Sequence, residues 1–269
     1  MEKTRHKGKP FLEIFASTLQ EDYRFPILEI FAFLYALGTF IFVGFGPTYR
    51  VTDESTAFGL VTSLMGFPMF IFIILIFKNI AYGLGSDLEK GTIQTFFSYP
   101  LRRRSILTAK LLSALGVALL IFLGIQISAL YLLAPDIILT YIGTVMLTYV
   151  ANICYSLFLA AVLLLITLNI RRGGLALVFG IIIYFAIGVF NGIMFSVAMA
   201  TDLAWPFQII SIINPSTALA RYYSGFGQFQ TSFWVPTFNE ALGYIAGAYT
   251  LVAVLFFLSY LYFCRRLNL

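Results

Sequence analysis

The residues that could do proton or ion chemistry lie at the ends of the long apolar segments of this chain. All 12 Asp and Glu residues fall outside those segments or at their ends. Proton- and ion-coupled transporters usually carry ionisable groups at mid-membrane depth. The middles of the segments hold uncharged polar residues such as Gln126, Asn152 and Asn191, whose ordinary role is hydrogen bonding between helices. If the chain drives transport, its energy is therefore expected to come from elsewhere.

The sequence also lacks the motifs of hydrolytic, metal and nucleotide chemistry. Its single histidine, His6, lies in the N-terminal tail, so a Ser-His protease inside the membrane would have no base. His, Cys, Asp and Glu do not cluster at the spacing of metal ligands. The segment 85–92 has the wrong order and spacing for a phosphate-binding loop. We expect this chain to be no enzyme, with no catalytic residues, no metal site and no cofactor of its own.

The apolar segments are long enough to cross a bilayer, which takes about 20 mostly apolar residues. Hydrophobic residues make up 60% of the 269 positions and charged residues 11%. Backbone inside lipid must satisfy its own hydrogen bonds, so the segments are predicted to be helices. We expect an all-α integral membrane protein, with a tail and interfacial helix over 1–25 and a six-span domain over 26–269. The predicted spans are 26–46, 58–80, 111–134, 137–168, 175–200 and 241–263.

The basic residues lie almost entirely on one side of the predicted spans. Of the 17 lysines and arginines, all but Arg50 and Arg221 fall in the two tails or in the loops on the same side as the tails. Basic loops stay in the cytoplasm during membrane insertion. We therefore expect a multi-pass protein of the cell (plasma) membrane, with both termini and the loop 86–110 cytoplasmic and residues 201–240 outside.

Three segments outside the spans are predicted to be structured. Residues 10–25 form an amphipathic helix in the membrane interface, which serves as a surface anchor, as a docking surface for a partner, or as both. In the loop, Ile93, Phe96 and Phe97 share one helical face, and Asp87 and Glu89 lie near the predicted start of that helix. The arginines at 102–104 suit lipid head groups or a protein partner. Residues 201–240 are too apolar for an exposed loop and favour re-entrant helices.

Two of these segments resemble the type-2 permeases of ATP-binding-cassette (ABC) transporters. The loop carries Asp87, Glu89, Gly91-Thr92, an apolar pair, Pro100, arginines and a lysine in an order similar to the first cytoplasmic loop of that family. An Asn-Pro pair followed by an arginine resembles a segment that the family carries between its last two spans. An interfacial helix before a six-span domain is the third shared feature. The Asn-Pro segment consists here of Asn214, Pro215 and Arg221.

The resemblance implies that the chain is the membrane-spanning permease subunit of an ABC-type exporter. A second permease chain, identical or similar, would complete the pathway, and a separate ATPase (nucleotide-binding) subunit would bind ATP and Mg²⁺. Residues 87–98 would be a coupling helix that contacts the ATPase. Its contact residues would be Asp87, Glu89, Gly91, Thr92, Ile93, Phe96 and Phe97.

The resemblance also implies where the pathway runs. Spans two and five would be its walls, and the segment with Asn214, Pro215 and Arg221 would form re-entrant helices near the outer mouth. The candidate lining residues are Phe67, Phe70, Asn191 and Phe195.

Two other functions fit the composition. One is a self-sufficient channel or secondary transporter for an uncharged substrate, although the lack of charges at mid-span argues against ion coupling. The other is a membrane anchor of a soluble ATPase that transports nothing. The substrate is not indicated, because an aromatic content of 17% suits an apolar pathway and equally suits packing against lipid. No basic patch on a soluble domain points to nucleic acid.

Overall fold

Helices form nearly all of the chain in a computed structural model, which describes residues 10–45, 53–93, 95, 103–224 and 234–265. These residues contain no strand. Two π-helical segments, π1 (Asn79–Gly85) and π2 (Leu112–Val117), lie within longer helices. The α-helices are α1 Pro10–Asp22, α2 Ile27–Phe45, α3 Glu54–Lys78, α4 Ser86–Glu89, α5 Arg103–Leu111, α6 Ala118–Leu133, α7 Pro135–Thr140, α8 Ile142–Ile170, α9 Gly173–Thr201, α10 Trp205–Ile213, α11 Ser216–Ser224 and α12 Phe238–Arg265.

Five continuous helices within the described residues are long and apolar enough to cross a membrane. A sixth is counted if α1 and α2, which meet at an angle of 65°, form one bent span. The chain therefore has the all-helical architecture of a multi-pass membrane protein, and its long helices follow the predicted order. With the bent pair α1–α2 counted as the first, the second to sixth long helices are Glu54–Glu89, Arg103–Leu133, Ile142–Ile170, Gly173–Thr201 and Phe238–Arg265.

The helices extend beyond the predicted spans. The second predicted span ended at residue 80, but α3 continues through π1 into α4 and ends at Glu89. Asp87 and Glu89 therefore lie in the last turn of a long helix, and their predicted position at the start of a separate loop helix is wrong. The run of apolar residues marks only the part of a helix that can lie in lipid, and the helical backbone continues beyond it through polar residues.

The predicted connection between the third and fourth spans is also wrong. Pro135 and Asp136 are not a bare turn, since they begin the six-residue helix α7. Proline suits the first turn of a helix, where its missing N–H would have no partner. The backbone then leaves the helical region at Tyr141, with φ −120° and ψ 34°, and α8 begins at Ile142 rather than at the predicted residue 137.

The core lies between α3 and α8, and α2, π2 and α6 pack around it. Phe72 of α3 stacks on Phe122 of α6 with ring centroids 4.9 Å apart, and Tyr35 of α2 meets the same ring edge-on at 5.9 Å. All three side chains are fully buried. Aromatic contacts of this geometry add to the stabilisation that burial itself provides.

The bundle has two distinct ends. At the basic end, α1 packs on α5 and π2, and α5 also contacts α12. At the opposite end, α10 and α11 pack against the first turns of α12, and α11 also contacts α3 and α8. Left-handed residues end α8 and α9, at Arg171 (φ 56°) and Asp202 (φ 54°), which is a common way to terminate a helix.

Candidate functional site

A buried ion pair fixes the predicted loop residues at the basic end. Asp87 Oδ2 pairs with Lys110 Nζ, and the two side chains are 8% and 5% exposed. Asp87 lies on α4 and Lys110 on α5, so the pair joins the end of the second long helix to the start of the third. Removing charges from water costs free energy that only a close partner offsets. The carboxylate of Asp87 is therefore paired with Lys110 of its own chain and does not face outward.

Glu89 joins the same helix end to α9. Its Oε2 accepts a hydrogen bond from the backbone N–H of Gly173 at 3.2 Å. Gly173 is the first residue of α9, where N–H groups have no partner within the helix and the helix dipole favours a negative charge. Glu89 was predicted to lie at the N-terminus of its own helix, which is wrong, since its carboxylate lies at the N-terminus of α9 instead.

The backbones of π1 and α9 touch beside this hydrogen bond. A Cβ atom on Gly173 would lie 2.7 Å from the carbonyl oxygen of Ala81, and a Cβ on Gly85 would lie 2.8 Å from the Cα of Gly173. Neither distance is possible without a shift of the backbone. The pair of glycines therefore allows α9 to reach the helix end that carries Asp87 and Glu89.

The remaining predicted coupling residues have different environments. Gly91 has φ 73°, a left-handed conformation that turns the chain after α4 and favours glycine. Ile93 follows the turn and is fully buried in the core of the chain. Its predicted place on a face that is free to contact an ATPase is therefore wrong, because the chain's own core covers the side chain. Thr92 is half-buried, and Phe96 and Phe97 lie outside the described residues.

A buried polar network that was not predicted from the sequence lies next to these contacts. Ser113 Oγ donates to Asp22 Oδ2 at 2.7 Å, and Lys78 Nζ donates to the carbonyl oxygen of Asp22 at 2.6 Å. Asn79 Nδ2 donates to the hydroxyl of Tyr23 at 3.0 Å, and that hydroxyl donates to the carbonyl oxygen of Ser113 at 3.2 Å. Burial raises the pKa of Asp22 to about 6 despite the hydrogen bond from Ser113. We define these five residues as the polar junction.

The polar junction connects α1 to both π-helical segments. Asn79 is the first residue of π1 and Ser113 is the second residue of π2. Both segments contact α1 and each other. A π turn holds an extra residue in a helix and occurs often at functional sites. It has no signature in composition, which is why the pattern of apolar residues could not reveal it.

Arginines predicted to meet lipid head groups or a partner line a polar cavity at the basic end. Arg103, Arg104 and Arg265 surround a volume of about 430 Å³. The guanidinium of Arg104 lies 5.9 Å from the ring centroid of Tyr260. The third predicted arginine, Arg102, lies outside the described residues.

A larger cavity occupies the opposite end of the bundle, with a volume of about 490 Å³ between α3, α9, α10 and α11. Phe58, Phe195 and Phe207 form apolar walls, and Arg221 supplies a charge. The guanidinium carbon of Arg221 lies 3.9 Å from the ring centroid of Phe207. Burial lowers the pKa of Arg221, which nevertheless stays charged because its ordinary pKa is far above neutral.

The structure brings together only part of the predicted pathway. Phe195 and Arg221 line this cavity, whereas Phe67, Phe70 and Asn191 are not among its lining residues. Phe67 and Phe70 are exposed on α3, at 44% and 38%. Asn191 on α9 has a buried Oδ1 atom without a hydrogen-bond partner.

The Asn-Pro pair forms the turn between α10 and α11. Asn214 caps the end of α10, and its Oδ1 accepts a hydrogen bond from Ser216 Oγ at 2.7 Å. Pro215 is buried at the turn, and α11 begins at the next residue. The pair thus sets the angle at which α11 presents Arg221 to the cavity.

Comparisons with protein-family models and with curated proteins find no match for this chain. Among the described residues, no group of three or more His, Cys, Asp and Glu residues could hold a metal ion.

Proposed function

We propose that this chain is the permease subunit of an ABC-type exporter, powered by a separate ATPase subunit that binds ATP and Mg²⁺. The basic end faces the cytoplasm in this proposal, and the ATPase contacts the chain beyond α4. The order of residues in the 87–110 loop supports the family, and the mechanical connections of that loop support the coupling role. A second copy, or a similar chain, completes the pathway.

The observation that carries the proposal is the attachment of α4 to two further long helices. Asp87 holds α5 through Lys110, and Glu89 holds the N-terminus of α9. Ile93 anchors the next turn in the core. Since packed interiors transmit displacements with little compression, a force on this segment moves the second, third and fifth long helices together.

Exposed residues at the same place give an ATPase something to contact. Glu89, Lys90 and Thr95 are exposed, while Asp87 and Ile93 face inward. Of the contact residues predicted from the sequence, Asp87 and Ile93 are therefore covered by the chain itself, and we assign docking to Phe96 and Phe97. The polar junction lies next to this segment. We propose that the long helices turn about it, because two π-helical segments meet there and their hydrogen bonds join α1 to both.

The test uses the complex purified from its native membranes in mild detergent. We expect an ATPase with a phosphate-binding loop to co-purify, and the reconstituted complex to move substrate into or out of vesicles only with ATP. Solute flux through the chain alone would identify a channel or secondary transporter. A bound ATPase without ATP-dependent transport would identify an anchor.

Variants separate docking from coupling. Phe96→Ala and Phe97→Ala should insert normally and lose ATPase association, because burial of an apolar side chain contributes roughly 1.5–3 kcal/mol. Glu89→Ala should keep association and lose most ATP-dependent transport, because it releases α9 from α4. Lys90→Ala is the matched control for Glu89→Ala, since both residues are exposed and adjacent. Equal transport by Glu89→Ala and Lys90→Ala would reject the coupling role of Glu89.

A further inference from the structure

The cavity at the opposite end has the size and lining of a ligand site. Its volume of about 490 Å³ falls within the range of roughly 300–1,000 Å³ that small-molecule pockets occupy. Four helices contribute to it, so its shape is fixed by the bundle and not by one loop. Phe58 comes from α3, Phe195 and Met199 from α9, Phe207 from α10 and Arg221 from α11.

The cavity combines one cation with apolar walls. The guanidinium of Arg221 lies over Phe207 within cation–π distance, with its carbon 3.9 Å from the ring centroid. None of the described residues that line the cavity is acidic. An arginine guanidinium carries a fork of donors that matches the two oxygens of a carboxylate or phosphate.

A second polar group points to a ligand independently. Thr62 lines the cavity, and its buried hydroxyl has no hydrogen-bond partner. Buried hydroxyls in native proteins nearly always have a partner, from the protein, from water or from a ligand. The hydroxyl oxygen has almost no accessible surface, so it would bond to an oxygen atom in the cavity after rotation of the Thr62 side chain.

We propose that this cavity binds an amphipathic anion. Its acidic head, a carboxylate or a phosphate, is bound by Arg221, and its apolar chain packs against Phe58, Phe195 and Met199. A free amphiphile and a phospholipid of the surrounding bilayer share this chemistry. The proposal concerns binding and does not depend on the proposed ATP-driven transport.

The test is photo-crosslinking of the full chain in nanodiscs of phosphatidylcholine, with a palmitic acid that carries a diazirine group as the probe. We expect the probe to label peptides that contain Phe58, Phe195 or Met199. Unlabelled palmitate and dodecyl phosphate should compete with the probe, and hexadecanol should not. Competition by hexadecanol equal to that by palmitate, or labelling spread over the lipid-facing surface, would overturn the proposal.

Variants check the roles of the two polar groups. Arg221→Gln should reduce labelling about tenfold or more, because hydrogen bonds to a charged group are among the strong ones. Arg221→Lys should keep part of it, and Thr62→Val should reduce it less than Arg221→Gln does. Arg104→Gln, at the basic end, is the charge-matched control and should label like the unmodified chain. Undiminished labelling of Arg221→Gln would contradict the assignment.

The source of the ligand is determined by adding phosphatidylglycerol to the nanodiscs. Reduced labelling supports occupation by a bilayer phospholipid, and unchanged labelling supports a free amphiphile. Both results assign a source to a site that the competition experiment has already established on the unmodified chain.

Discussion

Two adjacent glycines at the start of α9 have opposite surroundings. Gly173 is buried, and a Cβ there would lie 2.7 Å from the carbonyl oxygen of Ala81, whereas a Cβ on Gly174 would meet nothing within 4 Å. We expect Gly173→Ala to lower the free energy of unfolding by about 1–3 kcal/mol, because α9 must move away from π1. Thermal unfolding in one detergent, followed by tryptophan fluorescence, measures the difference.

Gly174→Ala is the matched control for that substitution. It should be neutral or stabilising by up to about 1 kcal/mol, since alanine restricts the unfolded chain without a clash. Equal destabilisation by the two substitutions would show that π1 and α9 are not in backbone contact.

The Asp87–Lys110 pair predicts strong coupling between two substitutions. Each single change, Asp87→Leu or Lys110→Met, leaves one buried charge without its partner and should cost about 3–5 kcal/mol. The double variant removes both charges and should be far more stable than the sum of the single effects implies. A double-mutant cycle of unfolding free energies tests this. Additive effects would mean that the two groups do not interact in the folded chain.

The sequence identified chemically relevant residues at this scale but not their partners. Asp87 and Glu89 stood out by type, yet Lys110 and Gly173 lie 23 and 84 residues away along the chain. Such contacts depend on how helices pack, which local periodicity does not encode. Ile93 was predicted to share a face with Phe96 and Phe97, and periodicity alone could not show that the chain's own core covers its side chain.

At the scale of elements, apolar length identified the long helices in the correct order but not their ends or their internal geometry. Helices continue to Glu89 and begin at Arg103, through polar residues that the apolar runs exclude. The segments π1 and π2 interrupt two of the helices without a break in the apolar pattern. The short helices α10 and α11 lie within the predicted 201–240 segment, and their relation to the membrane stays a prediction.

The orientation of these elements in the membrane is directly testable. We expect Thr95→Cys to resist an impermeant thiol reagent added outside sealed cells and Asp136→Cys to react with it. Both residues are exposed, and along the chain they lie before and after the long helix Arg103–Leu133. Both cysteine variants are made in a protein that also carries Cys154→Ala and Cys264→Ser, so that neither native thiol can react. Strong labelling of Thr95→Cys in sealed cells would overturn the topology.

At the scale of the whole molecule, the long helices differ widely in how much of their apolar surface the chain covers. Within their most apolar stretches, 56% of the residues of the second and fourth long helices are buried, against 17% for α9 and 22% for α12. Lipid suffices to cover such a surface, and so does another chain. The exposed Phe67 and Phe70 of α3, next to α9 in the bundle, favour a pathway between two copies.

Small residues on α9 suggest where the copies meet. Gly188 and Gly192 are exposed, four positions apart, and a Cβ on either would meet nothing within 4 Å. This spacing allows the backbones of two helices to approach closely in lipid. We therefore predict that two permease chains pack through α9, with α3 beside the contact.

Native mass spectrometry and cross-linking of the purified complex test this prediction with an internal control. The double substitution Gly188→Leu and Gly192→Leu should shift the protein from two permease chains toward one, because leucine side chains hold the backbones apart. Gly243 and Gly247 of α12 have the same spacing, exposure and open surroundings. Since α12 packs mainly on α8, whereas α9 lies beside α3 and its exposed phenylalanines, replacement of the α12 glycines by leucine should leave the dimer intact. A single permease chain in the active complex, or a dimer lost only through the α12 substitutions, would contradict an α9 interface.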